Sequence, residues 1–300
     1  MGITYSANGR RLPALKGRKG SKKDHNLPDE LVFEEANFAW QHGRRVLDET
    51  DSLFDQGSEE THQVFKYILG GNTRTPITPE MQGCLHLGTG HFIWLIEMAN
   101  EHQGVRFEGF GMINPSDLTE LPPNVNLTSG DLLKKLPYPN ASFDYVNVRC
   151  LLTLLPSKQI PFALSEIIRI CKTNARIEFL EVDIFIKNAG PYYENCLGNI
   201  WRQICKEKDY NPINSAHLTN ILLKRGLVEV NCSRLSIPLG EYGGKVGVMN
   251  AKQFINSSNA IAANLKMTHD EMQEYLLGCV DEFNRHQSYH NAFLICARKG

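Results

Sequence analysis

The stretch "CLHLGTGHFIWLIEMANEHQGVRFEGFGMIN", running from Cys84 to Asn114, decides the fold. A short apolar run, "CLHLG", stops at Gly88, and Gly88-Thr89-Gly90 leads into "FIWLIEMANEH", whose apolar residues recur at helical spacing. "VRFEGFGM" then reads as a second strand. Strand, glycine turn, helix and strand make the repeating unit of parallel sheets. A glycine turn at a strand's carboxyl end also lets the backbone approach a nucleotide-like ligand closely. Two residues depart from such a cradle. Phe92 stands where a third glycine would be expected, and the second strand ends in Gly111 rather than in an acid. A Gly-x-Gly alone is a weak signal, since many tight turns contain one.

The alternation continues in both directions. "VNLTSG", "FDYVNVR" and "ARIEFLEVD" read as strands. "SKQIPFALSEIIRICK" predicts a helix with Ser157 as its N-cap and Pro161 in its early turns. "CLGNIWRQICKEK" and "AHLTNILLKRG" predict two more, the second closed by Gly226. "LVEVNCSRLSIPL" and "NAFLICARK" are the last two strands, with a glycine-rich loop and helical material from about residue 250 to 285 between them. The final strand suggests a hairpin-like return to the sheet edge. Upstream, "EETHQVFKYILG" (59–70) predicts an amphipathic helix ending at Gly70-Gly71. The whole implies a mainly parallel α/β sheet covered on both faces. Residues 1–39 are expected to form a basic tail and linker, and 40–300 the folded domain.

Composition narrows the function classes. The 300 residues are 42% hydrophobic and 22% charged with a formal net charge of −1, so nothing pulls the chain as a whole toward nucleic acid or membrane. No apolar run approaches the ~20 residues that span a bilayer, and the start lacks a signal-peptide core. Eight cysteines have no CxxC pair, and most lie within apolar segments as buried reduced thiols do, which suggests cytosol or nucleus. No histidine has metal-ligand spacing with a partner Cys or Asp. Asn126-Leu127-Thr128 fits a glycosylation sequon, read here as a chance match. Residues 1–23 carry Arg10, Arg11, Lys16, Arg18, Lys19, Lys22 and Lys23 and no acid. That tail is a solvated segment, a nuclear-import signal or an anionic-surface contact. "MGITYS" also fits an N-myristoylation pattern, which with a basic segment could anchor the chain to a membrane.

"SGDLLKKLPYPNASFDYVNVRCLLTLLP" (129–156) adds an Asp in a loop, a Leu-Pro-aromatic-Pro turn and a strand that opens Phe-Asp. Together with "LHLGTGHFIWLIEMA", it resembles the seven-stranded S-adenosylmethionine-dependent methyltransferases. "GRRV" (43–46), "ILGGN" (68–72) and "IPLGEYGGKVG" (237–247) make the chain similar to the large fungal group that includes regulators of secondary metabolism. The resemblance implies a Rossmann-like, doubly wound, seven-stranded, mostly parallel sheet with an antiparallel C-terminal strand and helical additions. It implies S-adenosylmethionine as cofactor. Gly88, Thr89 and Gly90 would form the glycine loop, Asp131 and Leu132 the adenine side, and Asn147 and Arg149 the strand end beneath the cofactor. Trp94 and Glu97 match helix positions common in that group.

The departures fall at cofactor-facing positions. His86 replaces an acid two residues before the first glycine, Phe92 replaces the third glycine, and Gly111 replaces the acid that takes the ribose hydroxyls. "LFDQGSEE" (53–60) replaces the usual upstream stretch. Hydrogen bonds to a carboxylate contribute about 1.5–3 kcal/mol each. Losing the ribose pair would therefore lower affinity by roughly two to four decades. Phe92 would place a bulky side chain where the cofactor needs room. Glu108 has the wrong strand parity to replace the missing acid, and Asp117 lies six residues past Gly111 in a turn. Three readings stay open. The chain is a methyltransferase with an eroded site, a catalytically inactive methyltransferase-fold pseudoenzyme acting as a binding or regulatory scaffold, or a protein whose pocket takes another small ligand. The methyl acceptor, a small molecule or a protein, is not specified, and a protein partner is compatible with each reading.

Overall fold

The computed structural model describes residues 39–41, 44–46, 59–88, 92–111, 121–183, 185–210, 215–258 and 267–300. The basic tail and its acylation pattern, most of "LFDQGSEE", Thr89, Gly90 and Asp117 lie outside the described residues. Two short antiparallel strands come first, β1 (Ala39–Gln41) and β2 (Arg44–Val46). Helix α1 (Glu59–Leu69) then precedes the main sheet.

That sheet is built from β3 (Gly83–Leu87), β4 (Arg106–Gly111), β5 (Val125–Ser129), β6 (Phe143–Arg149), β7 (Cys171–Val182), β8 (Leu227–Pro238) and β9 (Tyr289–Lys299). Its order is β5-β4-β3-β6-β7-β9-β8. β5 through β7 are parallel, and β9 runs antiparallel to both of its neighbours. The final strand is thus inserted between β7 and β8 rather than added at the edge. The reason lies in its composition: Asn291–Ile295 is buried without a break and needs a neighbour on each side, whereas residues 231–234 of β8 are all exposed. β8 takes the edge.

Helix α2 (Ile93–Glu101) follows β3, and α3 (Ile160–Ile170) follows β6. α3 starts at Gln159 with proline in its first turn. Ser157 is not its cap: the cap position falls at Gln159, two residues on, and the Ser157 hydroxyl donates to the Asp209 carbonyl. After β7 come α4 (Pro191–Tyr193), a π-helical turn (Glu194–Gly198), α5 (Asn199–Glu207) and α6 (Ser215–Lys224). Gly226 ends α6 with φ +83°, a left-handed value that favours glycine. α7 (Gly244–Ser258) and α8 (His269–His286) lie between β8 and β9, and α8 opens on a Thr268/Glu271 capping box.

Strand order reverses between β3 and β6, so their carboxyl ends bound the crevice where this topology places ligands. The α3 side of the sheet is apolar: Leu85, Leu87, Val146, Val148, Ile177 and Phe179 join one cluster with α3. On the other side, register aligns Gly109, His86, Asn147, Glu178 and Cys296 into one row across five strands. All of the side chains in that row point toward one face.

Candidate functional site

Gly88 ends β3 with φ +83°, and a Cβ there would stand 2.3 Å from the Arg149 carbonyl oxygen. Both constraints demand glycine. Four residues on, Phe92 precedes α2 with φ 60° and ψ 6°, the left-handed backbone a glycine would adopt freely. Its ring does not remain at the strand ends. It is buried in the cluster of Trp94, Leu95, Met98, Phe107 and Tyr145. A left-handed residue costs about 1–2 kcal/mol, and burying a phenylalanine returns about 1.5–3 kcal/mol. Core packing therefore holds Phe92 in the glycine conformation.

His86 is a satisfied core histidine. Its Nδ1 lies 2.9 Å from Asn147 Oδ1, and its ring stacks on Trp94 at 4.5 Å. Burial, and secondly the Arg149 charge, lowers its pKa to about 3. The ring is neutral at physiological pH, so it sets no positive charge against a sulfonium. Asn147 is fully buried and donates to Tyr145 Oη at 3.2 Å, which meets Thr73 Oγ1 at 2.9 Å. Burial and nearby Glu178 push the Tyr145 pKa well up.

The segment Asn72–Thr75, a strap joining α1 to β3, lies over this row. The Asn72 carbonyl accepts from both Arg149 Nη2 and Trp94 Nε1. Glu178 Oε2 accepts from Thr73 Oγ1, Arg74 N and Thr75 N at 2.9, 3.1 and 3.0 Å. Asn72 Nδ2 reaches Glu97 and Glu101 on α2. Burial would raise the Glu97 pKa, but hydrogen bonds from Lys66 and Asn72, with His62 nearby, hold it at about 2. The guanidinium of Arg149 stands over Trp94, 5.4 Å from the ring centre. Among the described residues Arg149 forms no ion pair with Glu97 or Asp144. Asp144 instead accepts from Lys172 and from the Gln82 and Gly83 amides.

At the carboxyl ends of β4 and β5, the Gly111 carbonyl accepts from Gly130 N at 2.8 Å. A Cβ on Gly130 would strike the Phe110 ring at 2.5 Å. Asp131 is partly exposed and turns its Oδ1 onto the Leu133 amide, while Leu132 enters the apolar cluster on the α3 side. Glu108 faces that same side, as its parity requires, and accepts from Thr128 Oγ1 and Tyr138 Oη. Of the seven residues carried over from sequence, Gly88 and Arg149 meet directly, and Asn147 joins them through His86 and Trp94. Asp131 and Leu132 form a separate loop. Asn72, Thr73 and Glu178 were not singled out. Glu178, one of two carboxylates inside the mostly apolar run "ARIEFLEV", is the signal the sequence offers.

Further along the edge, two more carboxylates organise backbone. Glu181 accepts from the amides of Leu151, Leu152 and Thr153 and from the Thr153 hydroxyl. Glu282 of α8 caps α4 through the Tyr192 and Tyr193 amides. Tyr193 packs edge-on against Phe254 and Phe283, and Tyr192 lies against Tyr275, so these aromatics staple the helices together. Among the described residues no group of three or more His, Cys, Asp or Glu could hold a metal, and no helix is long and apolar enough to cross a membrane. All eight cysteines are free thiols.

No protein-family model matches the chain. Over 87 residues it is 32% identical to the methyltransferase str2 of Strobilurus tenacellus, covering 29% of this chain and 31% of that protein. Its backbone resembles phosphoethanolamine N-methyltransferase 2 of Haemonchus contortus, solved with S-adenosylhomocysteine and phosphomonomethylethanolamine (TM-score 0.51, 14% identity). That likeness covers 85% of this chain and 60% of the nematode enzyme. A second structure of the same enzyme, with S-adenosyl-L-methionine, gives TM-score 0.51 at 15% identity. The chain thus spans less than two thirds of either relative. Strand order, the inserted antiparallel last strand and these likenesses agree, and the chain has the class I, S-adenosylmethionine-dependent methyltransferase fold.

Proposed function

We propose that this protein is a methyltransferase-fold protein that keeps the glycine loop of the cofactor site and binds S-adenosylmethionine weakly. Its methyl acceptor would be a small molecule or a protein side chain. The observation that carries this reading is the loop backbone. Gly88 and Phe92 both hold the left-handed conformations that the loop needs, and the Phe92 ring is packed into the core. The residues fit the cofactor in backbone and fall short in charge. Gly111 offers no carboxylate to the ribose, and neutral His86 stands in place of the other acid. In the proposed site Gly88, Thr89 and Gly90 approach the cofactor through their backbone. Asp131 reaches the adenine amino group once its Oδ1 leaves the Leu133 amide. Asn147 and Arg149 act by holding His86, Trp94 and the strap in place.

Titration calorimetry with S-adenosylmethionine and S-adenosylhomocysteine, on wild type and Gly111→Asp, tests the reading. Wild type should bind weakly, and the restored carboxylate should tighten binding by at least about tenfold, one bond's worth at ~1.4 kcal/mol per decade. No heat and no thermal stabilisation from millimolar ligand in either protein would reject it. The second reading, an inactive scaffold, would then stand. It is favoured by His86, whose Nδ1 is committed to Asn147 and whose ring stacks on Trp94.

A further inference from the structure

We infer that an internal water molecule joins Arg149 Nε to Glu178 Oε1, forming a water-bridged ion pair that locks the Asn72–Thr75 strap onto the sheet. The inference stands independently of cofactor binding. Arg149 is 6% exposed and Glu178 0% exposed. They occupy adjacent parallel strands, and Asn147 pairs with Glu178 in register. Arg149, two residues on from Asn147, therefore projects from the same face as a diagonal neighbour of Glu178. Each side chain leaves one polar atom without a hydrogen-bond partner among the described residues: Nε on the arginine, Oε1 on the glutamate. Another atom of each group grips the strap, Arg149 Nη2 on the Asn72 carbonyl and Glu178 Oε2 on Thr73, Arg74 and Thr75, and that Oε2 also meets the Cys296 thiol.

A buried donor and a buried acceptor of opposite charge do not stay unpaired on one face. No direct salt bridge joins them among the described residues, so the link needs a third group that both accepts and donates. Water does both and has a hydrogen to spare. Asn72 Oδ1, on a residue 6% exposed, is a further buried acceptor without a partner and can take that hydrogen. His62 Nε2 belongs to the same neighbourhood. It lies 3.3 Å from Glu97 Oε2 without hydrogen-bond geometry, and the Arg149 charge helps to lower its pKa. Among the described residues, Arg149 Nε, Glu178 Oε1 and Asn72 Oδ1 thus lie about one strap with His62 Nε2 nearby, whereas the buried atoms without partners on Gln159 and Thr219 lie elsewhere. Such clustering marks one hydrated centre rather than scattered defects.

A crystal structure of the ligand-free full chain, at a resolution that defines ordered water, tests this directly. One ordered water within hydrogen-bond distance of both Arg149 Nε and Glu178 Oε1 is the expected result. Direct contact between the two side chains, another protein partner on either atom, or no ordered water between them would overturn it. Amide hydrogen exchange supplies a second readout. In Glu178→Gln the protection of the Arg74 and Thr75 amides should fall at least tenfold, while that of α8 is unchanged. Equal protection in variant and wild type would remove the lock. If that variant does not fold, the wild-type structure alone decides.

Discussion

The two sides of the central sheet are built from different chemistry. Toward α3, Leu85, Leu87, Val146, Val148, Ile177 and Phe179 are buried as an unbroken apolar layer. Toward the strap and α2, the intervening residues His86, Asn147 and Glu178 form a polar row linked by directed hydrogen bonds and set between apolar clusters around Trp94 and Leu180. Apolar packing is large and non-directional, and it fixes that the chain folds. The polar row is directional and fixes where particular backbone atoms sit: the strap through Glu178 and Arg149, and β3 against β6 through His86 and Asn147. Apolar packing thus stabilises both faces, and the face toward the strap adds positioning through its polar row.

The contrast is testable by substitution, beginning with the largest effect. Phe179→Ala on the apolar side should lower stability by about 3–5 kcal/mol, read as a shift in urea midpoint. It should leave the order of exchange protection within the strap unaltered. Asn147→Leu on the polar side should cost less, about 1–3 kcal/mol, because it strands the His86 and Tyr145 polar atoms. It should also raise amide exchange in Thr73–Thr75. Equal effects on both measurements would mean that the two sides share one role.

Acid should attack the polar side selectively. The folded-state pKa of His86 is about 3, below the value of 6.5 expected when unfolded. Its contribution is therefore complete above pH 6.5 and is lost as pH falls toward 3. The loss is about 1.4 kcal/mol per pH unit. His290, whose pKa burial lowers to about 4, and His62 act in the same direction. Urea melts at pH 7 and pH 5 on wild type and His86→Gln isolate the His86 share as the smaller pH dependence of the variant. An identical pH dependence would show that His86 is not buried and neutral.

The smallest expected effect is at Phe92. Phe92→Gly relieves left-handed strain of about 1–2 kcal/mol and forfeits burial worth about 1.5–3 kcal/mol. A net loss near 1 kcal/mol should follow, read as a small drop in urea midpoint. A gain in stability would mean that the ring is held against its preference.

Much of the fold was legible because it rests on local patterns. The strand–turn–helix reading of Cys84–Asn114, the amphipathic helix at 59–70 and the Gly226 stop all depend on spacing and on residues with special backbone freedom. The place of β9 was harder. "NAFLICARK" shows that the strand is buried, but which neighbours bury it is a long-range fact. Ser157 looked like a cap because its type and position suit one, yet the helix begins after Gln159 and the Ser157 hydroxyl donates to Asp209, 52 residues away.

The sequence by itself determined the sheet, the glycine requirement at Gly88, and the missing carboxylates at His86 and Gly111. Those properties belong to single residues and short periods. Only the tertiary structure decided that Phe92 turns into the core, that His86 is neutral between Asn147 and Trp94, and that Glu178 and Arg149 grip a strap some 75 to 105 residues earlier in the chain. Side-chain direction and protonation depend on what the rest of the fold brings within a few ångströms, and no local pattern carries that information.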